Sequence, residues 1–581
     1  MAGRVWTPQQ QQAISARRGT LLVSAAAGSG KTAVLVERVI ERLTDPEHPC
    51  DADRILVVTF TNAAAAEMKE RISARLSALL EADPYNARLR RQQLLLNRAH
   101  ISTIHSFCSE LVREHFYQLD ISPDFRIPDD TEMALLREEA LEAALEERYA
   151  AGEPDFFRMV ESFSSGRDDS RLLSTIGTLY DFVRSHPFPD AWLREKEEMY
   201  RAGKPIGETP WGKEIFSYAR SALDYCLILT RNSLSALEED PVIGAAYGEA
   251  FSSDLRALEH LAELASTGDW DRFSAALRAY APASLKPLRG YKDDPLKLRV
   301  CFNRDEMKST LKELIKLFGE SEAECARDLE DLAPIVSQLF LCVRSFSDRL
   351  EAVKAERRLA DYSDLEHWTL RLLVRYDGEG MTFTDEAGEI SRRFEEIMVD
   401  EYQDVNEVQD TIFRALSREE GNLFLVGDVK QSIYRFRQAM PEIFLRRRAR
   451  YAKYDPVRDE YPATVTLDKN FRSRAGVTGA VNFIFGQLMS RGLGEMDYTA
   501  EEALVPGASY PPKETPDAAV HIIDLSRSDV ADAEQDADVL EARHIAAYIA
   551  EKIGSGAVVT EGGETRPATY REFWILLRSA N

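Results

Sequence analysis

Residues 20–43 read TLLVSAAAGSGKTAVLVERVIERL and combine three local signals in one order. The first residues, TLLVS, are a β-branched apolar run that predicts a buried strand. The last residues, AVLVERVIERL, have the pattern of an amphipathic helix. Between them, GSGKT has the residues of a loop that holds phosphate groups on its backbone N–H groups. The stretch therefore predicts one strand–loop–helix unit of a parallel α/β sheet, with a nucleotide bound at the loop.

The loop departs from the usual G-x-x-x-x-G-K-[S/T] pattern at one position, because Ala25 replaces the first glycine. A small residue can still turn the chain there, and Gly28 and Gly30 allow the close backbone approach that a phosphate needs. Lys31 would neutralise the outer phosphates, and Thr32 would hold Mg²⁺ through its hydroxyl. The predicted phosphate-binding loop comprises Ala25, Ala26, Ala27, Gly28, Ser29, Gly30, Lys31 and Thr32.

An acidic pair at a second strand end would complete a nucleotide hydrolase. The run IMVDEYQD (397–404) places Asp400 and Glu401 directly after an apolar strand. Asp400 would bind Mg²⁺ through a water molecule, and Glu401 would orient and deprotonate the attacking water. The sequence thus predicts hydrolysis of the nucleotide as well as binding.

Composition limits the class of protein. The chain has 581 residues, too many for one hydrophobic core, and its 44% hydrophobic and 29% charged residues are typical of globular domains. No apolar run reaches the roughly 18 residues that span a bilayer, and the first residues lack the layout of a signal peptide. With six scattered cysteines and no C-x-x-C pair, we expect a cytoplasmic protein without a membrane segment, zinc site or disulfide framework.

The formal net charge of −25, taken alone, argues against nucleic acid as a partner. A local cationic groove still attracts phosphates, however, so the sum does not decide the question. Two basic runs, LKPLRGYKDDPLKLR (285–299) and FLRRRARYAK (444–453), could contact a DNA backbone or could be solvated surface.

The pattern of elements changes twice along the chain. From about residue 130 to 360, long helical patterns replace the alternating strands and helices. Strand-like runs return at EEIMVDE (395–401), NLFLVGD (422–428), ATVTLDKN (463–470), AAVHIIDL (518–525) and FWILLR (573–578). We therefore predict an α/β domain built from residues 1–125 and 361–460, an all-α insertion at 126–360, and the start of a second α/β domain at 461–581.

Eight motifs in one order resemble those of the superfamily 1 helicases similar to UvrD, Rep and RecB. They are WTPQQQQAI, AAAGSGKT, VVTFTNAAAAEMKERI, ISTIHSFCSELVR, DYSDL, IMVDEYQDVNEVQ, LFLVGDVKQSIYRFRQA and LDKNFRS, within residues 6–473. The resemblance implies that the two α/β domains are RecA-like and close on ATP between them. Residues 179–193 and the motif at 427–444 are most similar to the AddA-type helicase–nuclease subunits of bacterial AddAB.

The resemblance also implies roles for individual residues. Gln10 would contact the adenine, which makes ATP the nucleotide, and Phe471 would stack on the base. Gln431 would sense the γ-phosphate, and Arg472 would reach it from the second domain.

The DNA-facing candidates come from the same motifs. They are Phe60, Thr61, Asn62, Thr103, His105, Tyr434, Phe436 and Arg437. Exposed rings beside basic residues can stack on any base. Phe60 follows an apolar strand and could instead be a core residue, and a lone histidine such as His105 is often structural.

The resemblance implies an ATP- and Mg²⁺-dependent 3′→5′ translocase on single-stranded DNA, paired with an AddB-type subunit in break repair and recombination. No match to the later motifs of the second motor domain, or to the nuclease motifs, occurs after residue 475. We therefore expect an amino-terminal piece of a longer protein, weakly active or inactive alone. Two alternatives remain: an ATP- and DNA-binding scaffold without turnover, and a phosphate-loop ATPase acting on protein or RNA.

Overall fold

The computed structural model describes residues 5–163, 168–201, 203–432, 438–511, 516–524, 537–561 and 564–577. It divides into two compact units, Met1–Asp468 and Lys469–Asn581. The strands of the first unit are Leu21–Ala25 (β1), Ile55–Thr59 (β2), His100–Thr103 (β3), Val374–Tyr376 (β4), Met381–Phe383 (β5), Glu396–Val399 (β6), Leu423–Gly427 (β7), Ala452–Lys453 (β8) and Ala463–Leu467 (β9).

Seven of these strands form one sheet in the order β3–β2–β6–β7–β1–β9–β8. Every pair in it is parallel. The predicted parallel α/β sheet is therefore confirmed. Because all seven strands run the same way, the residues that follow β1, β2, β3, β6 and β7 emerge at one edge of the sheet.

The helices of the first unit are Pro8–Ser15 (α1), Lys31–Thr44 (α2), Asn62–Ala82 (α3), Ala87–Leu95 (α4), Ile104–Glu114 (α5), Phe116–Leu119 (α6), Asp130–Ala151 (α7), Pro154–Phe163 (α8), Ser170–Val183 (α9), Pro189–Glu198 (α10), Pro210–Leu237 (α11), Pro241–Thr267 (α12), Trp270–Ala279 (α13), Pro295–Leu317 (α14), Glu322–Arg357 (α15), Tyr362–Leu373 (α16), Asp385–Ser391 (α17), Glu407–Leu416 (α18) and Pro441–Arg450 (α19).

The sheet is buried on both faces, as its continuous apolar strands predict. One face packs against α1–α4 in a single core that includes Leu21, Val57 and Phe424. Alternate residues such as Leu22 and Leu56 point to the other face and are buried as well.

The long helical region contains α7–α15 and has its own hydrophobic cores. One core joins α7–α10 to the second half of α15, and another joins α11–α14. The chain leaves and re-enters the α/β part at one place, where Arg126 and Leu359 form a parallel β-bridge. The helical region thus begins and ends at two residues that lie side by side in space, as an insertion does.

A buried ionic cluster fixes this junction. The Lys354 ammonium on α15 lies 2.9 Å from Asp361 and 2.7 Å from Asp364, and Arg184, directly after α9, lies 3.2 Å from Asp364. Only 4% of the Lys354 side chain is exposed. Removing one partner would leave a buried charge unpaired, so the cluster ties α9 and α15 to the first turn of α16.

His367 at this junction makes stability depend on pH. Burial and the nearby Arg184 guanidinium lower the pKa of His367 from 6.5 to about 3. Between these values the unfolded chain binds a proton that the folded chain does not, so stability falls as pH drops below 6.5. The substitution His367→Gln keeps an N–H donor for the Arg184 carbonyl but removes the titrating group. Between pH 7 and 5, we expect the free energy of unfolding of this variant to fall by up to about 2 kcal/mol less than that of the wild type.

Urea unfolding at the two pH values measures this difference. His48→Gln, at an exposed histidine, is the matched control and should behave as the wild type. Equal acid sensitivity of the wild type and His367→Gln would contradict the prediction.

The second unit contains Lys469–Asn470 (β10), Ala475–Leu488 (α20), Arg491–Gly494 (α21), Val505–Pro506 (β11), Ala537–Gly554 (α22), Val558–Glu561 (β12) and Glu564–Pro567 (β13). β10 pairs with β11 in parallel, and β12 pairs with β13 as a hairpin.

Two sequence predictions fail in this part of the chain, and a third changes place. The described residues 518–524 and 573–577 form no strand, and Ile522 and Leu576 are 88% and 90% exposed. A β-branched run forms a strand only when a neighbour supplies hydrogen bonds and cover, and these runs have none among the described residues. Ala463–Leu467, predicted to begin the second domain, pairs with β1 in the first sheet instead.

Candidate nucleotide-binding site

The loop after β1 is shaped by two glycines. Gly28 and Gly30 have φ values of 68° and 85°, a left-handed conformation that side chains rarely adopt. Ala25 is the fully buried last residue of β1, where the structure requires a small side chain and no glycine conformation. The missing glycine is therefore compatible with the loop.

The start of α2 is suited to an anion. Its N-cap is Gly30, and in the described chain neither a side-chain cap nor an acidic residue occupies its first turn. The free N–H groups and the helix dipole at such an end attract phosphate. The Ser29 hydroxyl beside it is buried and has no hydrogen-bond partner among the described residues. A phosphate oxygen would satisfy these donors.

The acidic pair lies next to this loop. The Lys31 ammonium is 2.7 Å from a Glu401 carboxylate oxygen, although the two residues are 370 positions apart. Burial and then the neighbouring Glu401 charge raise the pKa of Asp400 to about 6. Glu401 has φ 51°, a conformation uncommon for a residue with a side chain. The fold thus brings the predicted phosphate-binding lysine and water-activating carboxylate into contact.

Gln403 connects Glu401 to the strand that follows. Its Nε2 donates to Glu401 Oε2 (2.8 Å), and its Oε1 accepts from the Asp428 backbone N–H (2.9 Å). Asp428 in turn accepts a hydrogen bond from Gln431 Nε2 (2.7 Å). Gln431, predicted as the γ-phosphate sensor, is therefore linked to Glu401 through two residues. The sequence prediction omitted Gln403, although it stands inside the DEYQD motif.

Gln10 packs against the loop from the other side. Its Nε2 donates to the Ser29 carbonyl (2.9 Å), and its Oε1 accepts from the Thr7 N–H as part of a capping box. The side chain is buried, so it fixes the distance between α1 and the loop. Its predicted contact with adenine stays a prediction.

Thr32 and Asp400 could hold a divalent cation together with phosphate oxygens and water. Hydroxyl and carboxylate oxygens are ligands that Mg²⁺ prefers. A cation would also favour the ionised form of Asp400, which burial disfavours. Within the described residues, no group of three or more His, Cys, Asp or Glu is arranged to hold a metal.

Phe471 and Arg472 belong to the second unit. The Asn470 side chain accepts hydrogen bonds from the backbone N–H groups of Arg472 (2.9 Å) and Ser473 (2.7 Å). The Arg472 side chain is exposed and Phe471 is half-buried. Their roles in the nucleotide site stay predictions.

The DNA-side candidates of β2 and β3 lie at the same sheet edge as the nucleotide loop. Phe60 is half-buried, whereas Thr61 and Asn62 are exposed at the start of α3. Thr103 caps α5 through the Ser106 N–H, and His105 lies on the first turn of that helix. Tyr434, Phe436 and Arg437 lie outside the described residues.

Two residues of α16 join this group although no role was predicted for them. The Tyr362 ring packs 4.7 Å from the His105 ring and is 55% exposed. Glu366 lies 3.0 Å from His105 Nε2. The DYSDL motif was the available signal for Tyr362, whereas Glu366 resembles an ordinary surface charge in the sequence.

The two basic runs are only partly solvated surface. Residues 444–453 form most of α19 and β8, and Arg447 is held 2.7 Å from Asp410. Arg446 and Arg450 line an open cavity of about 560 Å³ beside Phe188. Residues 285–294 are irregular and precede α14.

The chain matches one protein family over most of its length. The UvrD/REP helicase N-terminal domain family matches residues 6–452. Each helix in the described part of the chain is too short or too polar to span a bilayer.

Similar curated proteins are named as ATP-dependent helicase/nuclease subunits. The protein from Bacillus pumilus is 40% identical over 589 residues, covering 99% of this chain and 47% of the relative. The protein from Geobacillus kaustophilus is 41% identical over 598 residues, with 100% and 47% covered. The protein from Moorella thermoacetica is 43% identical over 533 residues, with 90% and 37% covered. The chain spans about half the length of these relatives, or less.

Proposed function

The chain belongs to the UvrD/REP helicase family, and from that premise we propose that it is the ATP-hydrolysing motor part of a DNA helicase. The contact between Lys31 and Glu401 carries the proposal, because it unites the phosphate loop with the group that would activate water. The acidic pair and the DNA-side residues share one sheet edge, which suits coupling of hydrolysis to movement on DNA.

Each residue of the site has a defined part in this proposal. The α2 amides and Lys31 would bind the phosphates, and Thr32 and Asp400 would hold Mg²⁺, which would supply positive charge to offset that of the phosphates. Glu401 orients a water molecule and accepts its proton. Gln403 keeps the Glu401 carboxylate in place and connects it to the Gln431 segment.

The finer function rests on the resemblance of the eight sequence motifs to those of superfamily 1 helicases. We propose 3′→5′ translocation on single-stranded DNA, in a helicase–nuclease complex with an AddB-type partner that acts in cytoplasmic break repair and recombination. Residues 1–125 and 361–468 would form the first RecA-like domain, and a second would begin near Lys469, later than the predicted 461. Among the described residues, Phe60 and Tyr362 are ring candidates for base stacking, which is worth about 1–3 kcal/mol per base.

ATP hydrolysis with and without nucleic acid tests the proposal. We expect single-stranded oligodeoxythymidine to stimulate ATP hydrolysis by the protein as its gene encodes it. The reason is that the candidate stacking rings and the hydrogen bonds to Glu401 lie at the same edge of the sheet. Stimulation by RNA alone would contradict the DNA assignment. ATP binding without hydrolysis under any condition would favour the scaffold alternative.

A further inference from the structure

Glu366 on α16 is a buried carboxylate that joins two other helices. It is 4% exposed, and its Oε1 accepts hydrogen bonds from His105 Nε2 on α5 (3.0 Å) and Gln409 Nε2 on α18 (2.7 Å). Burial would raise the pKa of Glu366, but the hydrogen bonds and charges around it, His105 first, lower it overall. The group is therefore an anion at neutral pH, held by two donors.

This carboxylate determines which ring nitrogen of His105 carries a proton. An ionised carboxylate can only accept, so His105 Nε2 must carry a proton. The ring is held between Glu366 and the exposed ring of Tyr362, and 35% of the His105 side chain is exposed. His105 Nδ1 is therefore presented at a fixed orientation, two residues after β3 ends.

The second hydrogen-bond donor, Gln409, lies on the helix that follows the acidic pair along the chain. Gln409 lies in the first turn of α18, where its backbone N–H donates to the N-cap side chain of Asn406 (2.9 Å). The short helical turn Tyr402–Asp404 connects this cap to Glu401. A continuous connection of hydrogen bonds and backbone thus runs from the end of β3, through Glu366, to the segment that carries the water-activating carboxylate.

We propose that Glu366 is a positioning residue that orients His105 towards the DNA strand and couples that contact to α18. It does not touch the reacting atoms. Its effect is on the DNA concentration at which hydrolysis is stimulated. The inference rests on the proposed function, since it assumes a DNA-stimulated ATPase.

The substitution Glu366→Gln tests this in the protein as its gene encodes it. Glutamine keeps the shape and one acceptor oxygen but loses the charge that strengthens both hydrogen bonds. We expect the concentration of oligodeoxythymidine that gives half-maximal stimulation to rise about fivefold. Because Glu366 acts through His105, adding Glu366→Gln to His105→Ala should cause no further rise.

A rescue variant separates positioning from simple support of the fold. Glu366→Gln combined with Gln409→Glu restores one carboxylate to the cluster, and the new amide at position 366 can accept from His105 and donate to the new acid. Because the charged bond to α18 is restored while His105 still faces a neutral amide, we expect the oligodeoxythymidine concentration for half-maximal stimulation to return part of the way to that of the wild type. A failure of rescue, with folding intact by thermal melting, would count against positioning.

The matched control is Glu407→Gln, also on α18. Glu407 pairs with His186 Nδ1 at 2.8 Å and lies 3.7 Å from Arg446, so this change also removes the charge from a histidine–carboxylate pair, one that does not include His105. The control should keep the wild-type DNA response. An unchanged response in Glu366→Gln, an equal shift in both variants, or additivity with His105→Ala would overturn the inference. A wild type that DNA does not stimulate would instead overturn the proposed function itself.

Discussion

In the protein as its gene encodes it, replacing Lys31 by alanine should lower ATP turnover by about a hundredfold or more and should weaken ATP binding. The ammonium stands at the N-terminus of α2, where the outer phosphates would lie, and is 2.7 Å from Glu401. The variant loses a charge that is present both when ATP binds and when the phosphoryl group transfers, so both steps suffer. Phosphate release and binding of a fluorescent ATP analogue measure the two effects.

A surface lysine provides the comparison for Lys31→Ala. Lys316 on α14 is exposed, and its ion pair with Glu313 one turn earlier lies in solvent, so Lys316→Ala should keep the wild-type rate. Turnover by Lys31→Ala close to that of the wild type would show that the loop is not the hydrolytic site.

Replacing Glu401 by glutamine should abolish turnover to a similar degree while sparing ATP binding. The new side chain has the same shape and can still offer an oxygen to Lys31 and Gln403, so the loop keeps its arrangement. It cannot accept a proton from water, and loss of a general base costs about 10²- to 10⁴-fold. The same two assays should therefore show a slow enzyme with nearly wild-type affinity.

The two variants together distinguish binding from chemistry. Glu420→Gln, at an exposed carboxylate before β7, is the control for Glu401→Gln and should leave both assays unchanged. If Glu401→Gln lost ATP binding as severely as Lys31→Ala, Glu401 would be supporting the loop rather than activating water.

The sequence predicts the sheet well because its signals are local. Each of β1, β2, β6, β7 and β9 is an apolar run of strand length, and the rule that parallel strands end at one edge places Lys31 and Glu401 together. The runs at 518–525 and 573–578 have the same local signal, but their described residues, 518–524 and 573–577, form no strand, because propensity cannot supply a neighbouring strand.

Side-chain networks are harder to predict than strands. Glu366 sits in DLEHW, where nothing distinguishes it from a solvated charge, and its burial depends on contacts with α5 and α18, which come from distant parts of the chain. Gln403 is similar, because its partner Asp428 follows a different strand. Such residues are found only when three elements have been placed against one another.

The position of β1 in the sheet has a consequence for biosynthesis. β1 lies between β7 and β9, so the strand that carries the phosphate loop has no neighbour until Leu423 and then Ala463 have been made. At about 5–20 residues per second, that wait on the ribosome lasts roughly 20 to 80 seconds. The helices α7–α15 pack mainly with one another and can fold during this interval. The strand before the nucleotide loop is therefore synthesised long before the two strands that flank it in the sheet.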